Sequence, residues 1–292
     1  MATRLRICVV LIAGLVGCNA SIKGGDNGKE ERGRTIVNGS PTTGYPAVVQ
    51  LLMTVPQGVG LCTGTLIRAD TVLTARHCVS DASTVSVSAG SEAASATGWD
   101  SHPSADLALV HLGQSFSVAP MPLSSGAPEA GHPLTLVGFG QTSYSGSDYG
   151  VKRVATNTVS AVTAAQFQFS GAGQGNTCFG DSGGPAFTSS AGGGLVVLGV
   201  HEATIGQCVT GIDRRVDAYL DWIQQHVPGV TLESPLSPGS SPPDAGVPPP
   251  APPTQNSCQG YCGGKAASCW CDTACTGFGG VQGLRVGLSL SL

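Results

Sequence analysis

Cys178-Phe179-Gly180-Asp181-Ser182-Gly183-Gly184-Pro185 sets a serine in a glycine-rich turn, with an acid directly before it and a cysteine four residues upstream. A free serine hydroxyl is a weak nucleophile and needs a base beside it. It also needs donors for the oxyanion it creates. Glycines on both sides let the backbone approach a substrate closely and turn its N–H groups toward a developing charge. Two other segments supply the complementary residue types. Leu73-Thr74-Ala75-Arg76-His77-Cys78 brings a histidine at the end of an apolar run, and Asp106-Leu107-Ala108-Leu109-Val110 sets an acid at the head of another.

Histidine suits a general base because its pKa lies near neutral pH. His111, His132 and His226 read as ordinary surface or core histidines; His77 stands apart because Cys78 and the apolar run fix its place. Asp100 competes with Asp106 for the orienting acid, and the apolar stretch Leu107–Leu112 favours Asp106. Gly180-Asp181-Ser182-Gly183-Gly184 also fits G-x-S-x-G, the nucleophile elbow of a strand–helix fold, with Asp213 and His226 following in the required order. That elbow must open a helix. Here Pro185 and the Gly192-Gly193-Gly194 run follow, and no strand–helix alternation precedes it.

The surrounding chain reads as an extracytoplasmic β protein. Of 292 residues only 11% are charged, 43 are glycine, and the net charge is −4. No basic stripe is present, which excludes a nucleic-acid binder. No metal-ligand cluster is visible, so neither a metal nor a cofactor is expected. Short apolar runs between turn residues predict strands at Ala47–Met53, Gly60–Ile67, Thr71–Ala75, Val85–Ser88, Leu107–Leu112, Leu134–Phe139, Lys152–Val162, Phe167–Phe169, Pro185–Thr188 and Leu195–Val200. Val216, Tyr219, Leu220, Ile223 and Val227 recur at helical spacing and predict one closing helix.

The ends have separate readings. Arg4 and Arg6 precede the apolar run Ile7 to Val16, which is too short to span a bilayer and reads as a signal. It ends Leu15-Val16-Gly17-Cys18, which resembles a bacterial lipobox: residues 1–17 are removed and Cys18 carries lipid. The rival is an ordinary secretory signal cut after Ala20. Either route delivers the protein out of the cytoplasm, lipid-anchored to a bacterial membrane or secreted. Residues 18–35 form a polar tether, 228–257 a proline-rich spacer, and 276–292 a bland tail. Between spacer and tail, Cys258, Cys262, Cys269, Cys271 and Cys275 resemble the first half of a somatomedin-B-like module, which in full needs eight cysteines.

The three segments, in the order His, Asp, Ser, resemble the chymotrypsin/trypsin family of serine endopeptidases. The likeness extends to Ile36-Val37-Asn38-Gly39 with Tyr45-Pro46-Ala47-Val48-Val49-Gln50-Leu51, and to Val216-Asp217-Ala218-Tyr219-Leu220-Asp221-Trp222-Ile223; it covers residues 36–227. The resemblance implies an all-β fold of two packed antiparallel six-stranded barrels with a C-terminal helix. It implies His77 as base, Asp106 as its orienting acid, Ser182 as nucleophile, and the N–H groups of Gly180 and Ser182 as oxyanion hole. It pairs Cys62 with Cys78 and Cys178 with Cys208, each worth roughly 3 kcal/mol. Asp181 would pair with an α-amino group freed at Ile36, which makes the chain a zymogen with an activating protease as partner. Asn176 falls at the base of the substrate pocket, where trypsin-like members carry Asp, and Gly211 lines it.

Several positions depart from that pattern. Arg76 stands where the family usually has Ala. Arg34-Thr35-Ile36 puts an extra residue at the activation junction. Glu202 lies in the strand Gly199–Thr204, either as a pocket charge or facing solvent. The leading reading is a monomeric secreted endopeptidase acting on protein or peptide substrates. Its alternatives are a catalytically silent protease-fold binding protein at the cell surface and an esterase of the same fold.

Overall fold

The computed structural model describes residues 36–171 and 173–240. The signal, Cys18, the tether and the cysteine-rich segment with its tail lie outside the described residues. A two-residue strand, β1 (Ser40–Pro41), precedes the first barrel. That barrel comprises β2 (Val48–Val55), β3 (Gly58–Arg68), β4 (Thr71–Thr74), β5 (Thr84–Ala89), β6 (Glu92–Ser101) and β7 (Ala108–Leu112), closed in the order β2-β3-β4-β7-β6-β5.

The second half contains β8 (Leu123–Ser124), β9 (Pro133–Gly138), β10 (Arg153–Val162), β11 (Gln166–Ser170), β12 (Pro185–Ser189), β13 (Leu195–Ile205) and β14 (Thr210–Arg215). The path β12-β9-β10-β11-β14-β13 closes through pairing of β12 with β13, giving a second antiparallel barrel of six strands. Closure pairs each of the six barrel strands on both sides.

Alternation along the strands explains why two barrels form and pack. On β7, Ala108, Val110 and Leu112 face the interior of the first barrel, while Leu109, with Leu107 just before the strand, faces the second. Leu134, Leu136, Phe167, Phe169 and Leu198 fill the second barrel. A third cluster lies between them, drawing Val48 and Leu73 from one side and Val137, Phe187 and Val200 from the other. Each such side chain contributes about 1.5–3 kcal/mol on burial. The interface therefore holds the two barrels, and the loops between them, in fixed relation.

Four differences from the sequence reading have physical causes. Strand β6 (EAASATGWDS) is poor in β-branched residues and is held by pairing to β5 and β7 on either side. Strand β14 (TGIDRR) carries buried Asp213 where the pattern calls for an apolar residue. The closing helix begins as a 3-10 turn, Asp217–Tyr219, and becomes α1 only over Leu220–His226. Finally, the chain after α1 does not leave as a spacer at once. Strand β15 (Leu232–Glu233) pairs in parallel with β8, Leu236 N–H donates to Ser189 O at 2.9 Å, and Val230 is buried.

Candidate active site

Register brings His77 and Asp106 together. Strand β4 ends at Thr74 and β7 begins at Ala108, and these two residues are directly paired. The chain running on from Thr74 therefore meets the chain arriving at Ala108. His77 sits in a 3-10 turn, Arg76–Cys78, pinned by the Cys62–Cys78 disulfide. Its backbone N–H donates to Asp106 Oδ1 at 2.8 Å, and its ring Nδ1 lies 2.6 Å from Oδ2. The short contact with an ionised carboxylate fixes the tautomer: Nδ1 carries the hydrogen and Nε2 is left as a base. Nε2 has no partner among the described residues.

Asp106 is largely buried, with its side chain 14% exposed. Burial works to raise its carboxyl. The His77 side-chain hydrogen bond, the His77 charge, the His77 backbone N–H and Arg76 outweigh burial and hold it below its ordinary value. Asp100 does not compete: it lies across β6–β7 with Oδ2 2.8 Å from His111 Nε2.

Ser182 and His77 line one groove of about 420 Å³, together with Leu61, Cys62, Cys78, Phe179 and Gly180. The Ser182 hydroxyl has no hydrogen bond among the described residues; in unliganded sites such contacts commonly tighten only when substrate binds. Its backbone is firmly placed. Thr63 N–H donates to Ser182 O at 2.9 Å, and Thr63 Oγ1 donates to Gly180 O at 2.9 Å. With the Gly180 carbonyl turned inward, the N–H groups of Gly180 and Ser182 make no hydrogen bond among the described residues. Gly180 has φ +96°, and a Cβ there would lie 2.9 Å from the Gly140 Cα, so both conformation and space require glycine. Thr63 escaped the sequence reading because nothing in its local sequence signals a residue that reaches across to another loop.

Asp181 points the other way, into the protein. It is buried and accepts the N–H of Gly140 at 2.8 Å and of Cys178 at 2.8 Å. Burial raises its carboxyl to about 6, against the hydrogen bonds of Cys178 and Gly140 and the charges of His201 and Arg153. Ile36 is also fully buried. No ion pair joins Ile36 to Asp181 among the described residues. The segment after Ile36 reaches the serine loop, since Asn176 N–H donates to Val37 O at 2.8 Å.

The second disulfide, Cys178–Cys208, ties the serine loop to the turn between β13 and β14. Asn176 is buried and its amide is engaged at both ends: Nδ2 donates to Val209 O, and Oδ1 accepts Thr177 N–H at 2.8 Å. Gly211 lies against Asn176 and Phe169, where a Cβ would be 2.2 Å from the Phe169 ring. Glu202 is neither a free pocket charge nor open to solvent. It accepts from Gln166 at 2.6 Å and pairs with Arg214 at 2.5 Å.

Two partnerships went unread in the sequence. His201 and Asp213 face each other across β13–β14 with Nδ1 2.9 Å from Oδ1, and Thr177 Oγ1 lies 3.2 Å from the same nitrogen. This uses Asp213 inside the barrel and removes it from the alternative nucleophile-elbow reading. His226 is spent on Trp222 O at 2.8 Å. Among the described residues the one grouping of ligand-type side chains is Cys62, His77 and Cys78, and both sulfurs are in the disulfide.

Comparison with known proteins gives the family and the fold. The family model described as Trypsin matches residues 36–223. The thrombin-like enzyme BjussuSP-1 of Bothrops jararacussu is 30% identical over 144 residues, 43% of this chain; the chain spans 61% of that relative's length. Among solved structures, HL collagenase superposes with a TM-score of 0.58 at 25% identity, covering 65% of this chain and 97% of its own. Neuropsin, a serine protease of mouse brain, gives 0.56 at 21% identity, covering 64% and 98%, which speaks to the fold alone.

Proposed function

We propose that this chain, which belongs to the trypsin family, is a secreted serine endopeptidase made as a zymogen. The observation that carries the reading is the double hold of Asp106 on His77, in a groove shared with Ser182. In the proposed reaction His77 Nε2 takes the Ser182 proton as Oγ attacks the peptide carbonyl. The N–H groups of Gly180 and Ser182 receive the oxyanion, each such donor being worth roughly 3–4 kcal/mol. His77 returns the proton to the leaving amine, and water repeats the sequence on the acyl-enzyme. Arg76 leaves the His77–Asp106 contact intact, so it gives no support to a silent scaffold.

Activation would follow from Asp181. A buried carboxylate with no cation in direct contact is costly, and cutting before Ile36 would supply an amine. The protease that makes this cut is the implied partner. Substrates are proteins or peptides. Asn176, neutral and internally bonded, gives no basis for a preference for Arg or Lys. Cys18 would tether the zymogen by lipid, and cysteines 62, 78, 178 and 208 pair within the domain, so activation would release it. Detection of the activated domain in a salt-washed membrane fraction would contradict release.

The test is hydrolysis of a peptide library before and after cleavage immediately before Ile36. The reading expects activity only after the cut, and none in Ser182→Ala. Equal hydrolysis by Ser182→Ala would overturn it.

A further inference from the structure

The turn between β6 and β7 carries Asp106, and two side chains hold that turn. His102 folds back over it: Nδ1 accepts the N–H of Ala105 at 2.8 Å and of Ser104 at 3.2 Å. The His102 N–H donates to Leu107 O at 2.9 Å, closing the turn around Asp106. Arg76, the neighbour of His77, sends Nη1 to the carbonyls of His102 at 3.2 Å and Pro103 at 3.5 Å. The histidine turn and the aspartate turn are thus joined by a guanidinium as well as by the His77–Asp106 contact. Beyond it, the His102 ring packs edge-on against Tyr219 at 5.0 Å and Trp222 at 5.1 Å.

We propose that His102 and Arg76 are positioning residues for Asp106, a brace that aims its carboxylate at His77. The proposal rests on the reading of His77, Asp106 and Ser182 given above. Its chemistry is specific. Nδ1 accepts only through its lone pair, so the brace exists only while His102 is neutral and carries its hydrogen on Nε2. Protonation would turn two hydrogen bonds into two donor–donor contacts.

The surroundings keep the ring neutral. Burial lowers the His102 pKa first, then the charges of Arg76, Arg214 and His226. Arg214 comes from β14 and is engaged by Glu202 of β13 and by the Tyr219 hydroxyl. Asp106 is the acid at the far end of the turn. Arg76 therefore acts twice: it donates to the turn carbonyls, and its charge both favours neutral His102 and helps keep Asp106 ionised.

The experiment uses the full chain cut before Ile36, as wild type, His102→Ala, His102→Asn, Arg76→Ala and Arg76→Lys. Fluorophosphonate labelling and peptide hydrolysis are followed across pH, with thermal unfolding as the control for folding. In His102→Ala, kcat should fall about tenfold to a hundredfold with KM within about twofold, because a mis-aimed catalytic group costs rate rather than binding. Asn can offer Oδ1 as an acceptor without titrating, so His102→Asn should regain most of kcat. The acid limb of its profile should fall with a single proton, whereas the wild-type limb is steeper. Arg76→Ala should shift the acid limb upward, and Arg76→Lys should leave it in place. If His102→Ala does not fold, His102→Asn and Arg76→Lys still decide the matter. Wild-type kcat in folded His102→Ala, or an unchanged limb in His102→Asn, overturns the brace alone. An unlabelled wild type overturns the underlying reading, and the brace with it.

Discussion

Asp106 holds His77 at two points, one carboxylate oxygen on the backbone N–H at 2.8 Å and the other on ring Nδ1 at 2.6 Å. The first contact sets where the residue sits; the second sets which ring nitrogen is the base. Asp106→Asn should separate them. An amide oxygen can still accept the backbone N–H, but the amide NH₂ facing Nδ1 favours the wrong tautomer. Folding should survive while kcat falls by about 10⁴, the size of the corresponding effect in the template serine proteases. Steady-state kinetics with a thermal melt checks both parts; a loss below tenfold in a folded variant would count against the assignment.

The buried Asp181 makes the zymogen sensitive to pH. Its carboxyl is raised from 3.8 to about 6. The folded chain therefore binds this proton more tightly than the unfolded chain, and stability falls as pH rises between those values. Above about pH 6 the cost is complete, on the order of 3 kcal/mol. An amine freed at Ile36 would offset it. Thermal unfolding of Ser182→Ala at pH 5 and pH 8, intact and cut, should show about half of this loss, on the order of 1.4 kcal/mol, in the intact form and a smaller one in the cut form. Identical profiles would remove Asp181 from the activation account.

Asp100 is engaged with His111 and stands clear of His77. Both side chains are over a third exposed or close to it, at 44% and 35%, so the pair is screened. Asp100→Ala should leave kcat/KM within about twofold and cost under about 1 kcal/mol in stability. A large loss of activity would reopen the choice between the two aspartates.

Gly183 supports the serine from below. It has φ +80°, and a Cβ would lie 2.0 Å from Thr74 Oγ1 and 2.4 Å from Thr63 O. Gly183→Ala must therefore displace the link between the serine loop and β3–β4. It should destabilise the fold by roughly 3 kcal/mol, from strain and clash together, and abolish labelling of Ser182. Calorimetry and labelling read the two effects separately.

The sequence was most legible where local chemistry is dense. The turn around Ser182, the run ending at His77 and the acid before Leu107 are each readable within a few residues, because glycine, cysteine and alternating apolar residues are local signals. Strand β6 was not, since its Ala, Ser and Gly residues form a strand only through pairing with β5 and β7. Thr63, His201–Asp213 and the Arg76–His102 turn were also missed. Each depends on contacts across different elements, 117 residues apart in the case of Thr63 and Gly180. Arg76 is the instructive one: from sequence it stands out only as a departure, and in the fold it holds the aspartate turn.

The most direct test is a fluorophosphonate adduct located by peptide mass mapping on the full chain cut before Ile36. The account predicts a single adduct at Ser182, lost in His77→Ala and absent from the uncut chain. A folded, correctly disulfide-bonded chain that takes no label at Ser182 would contradict it.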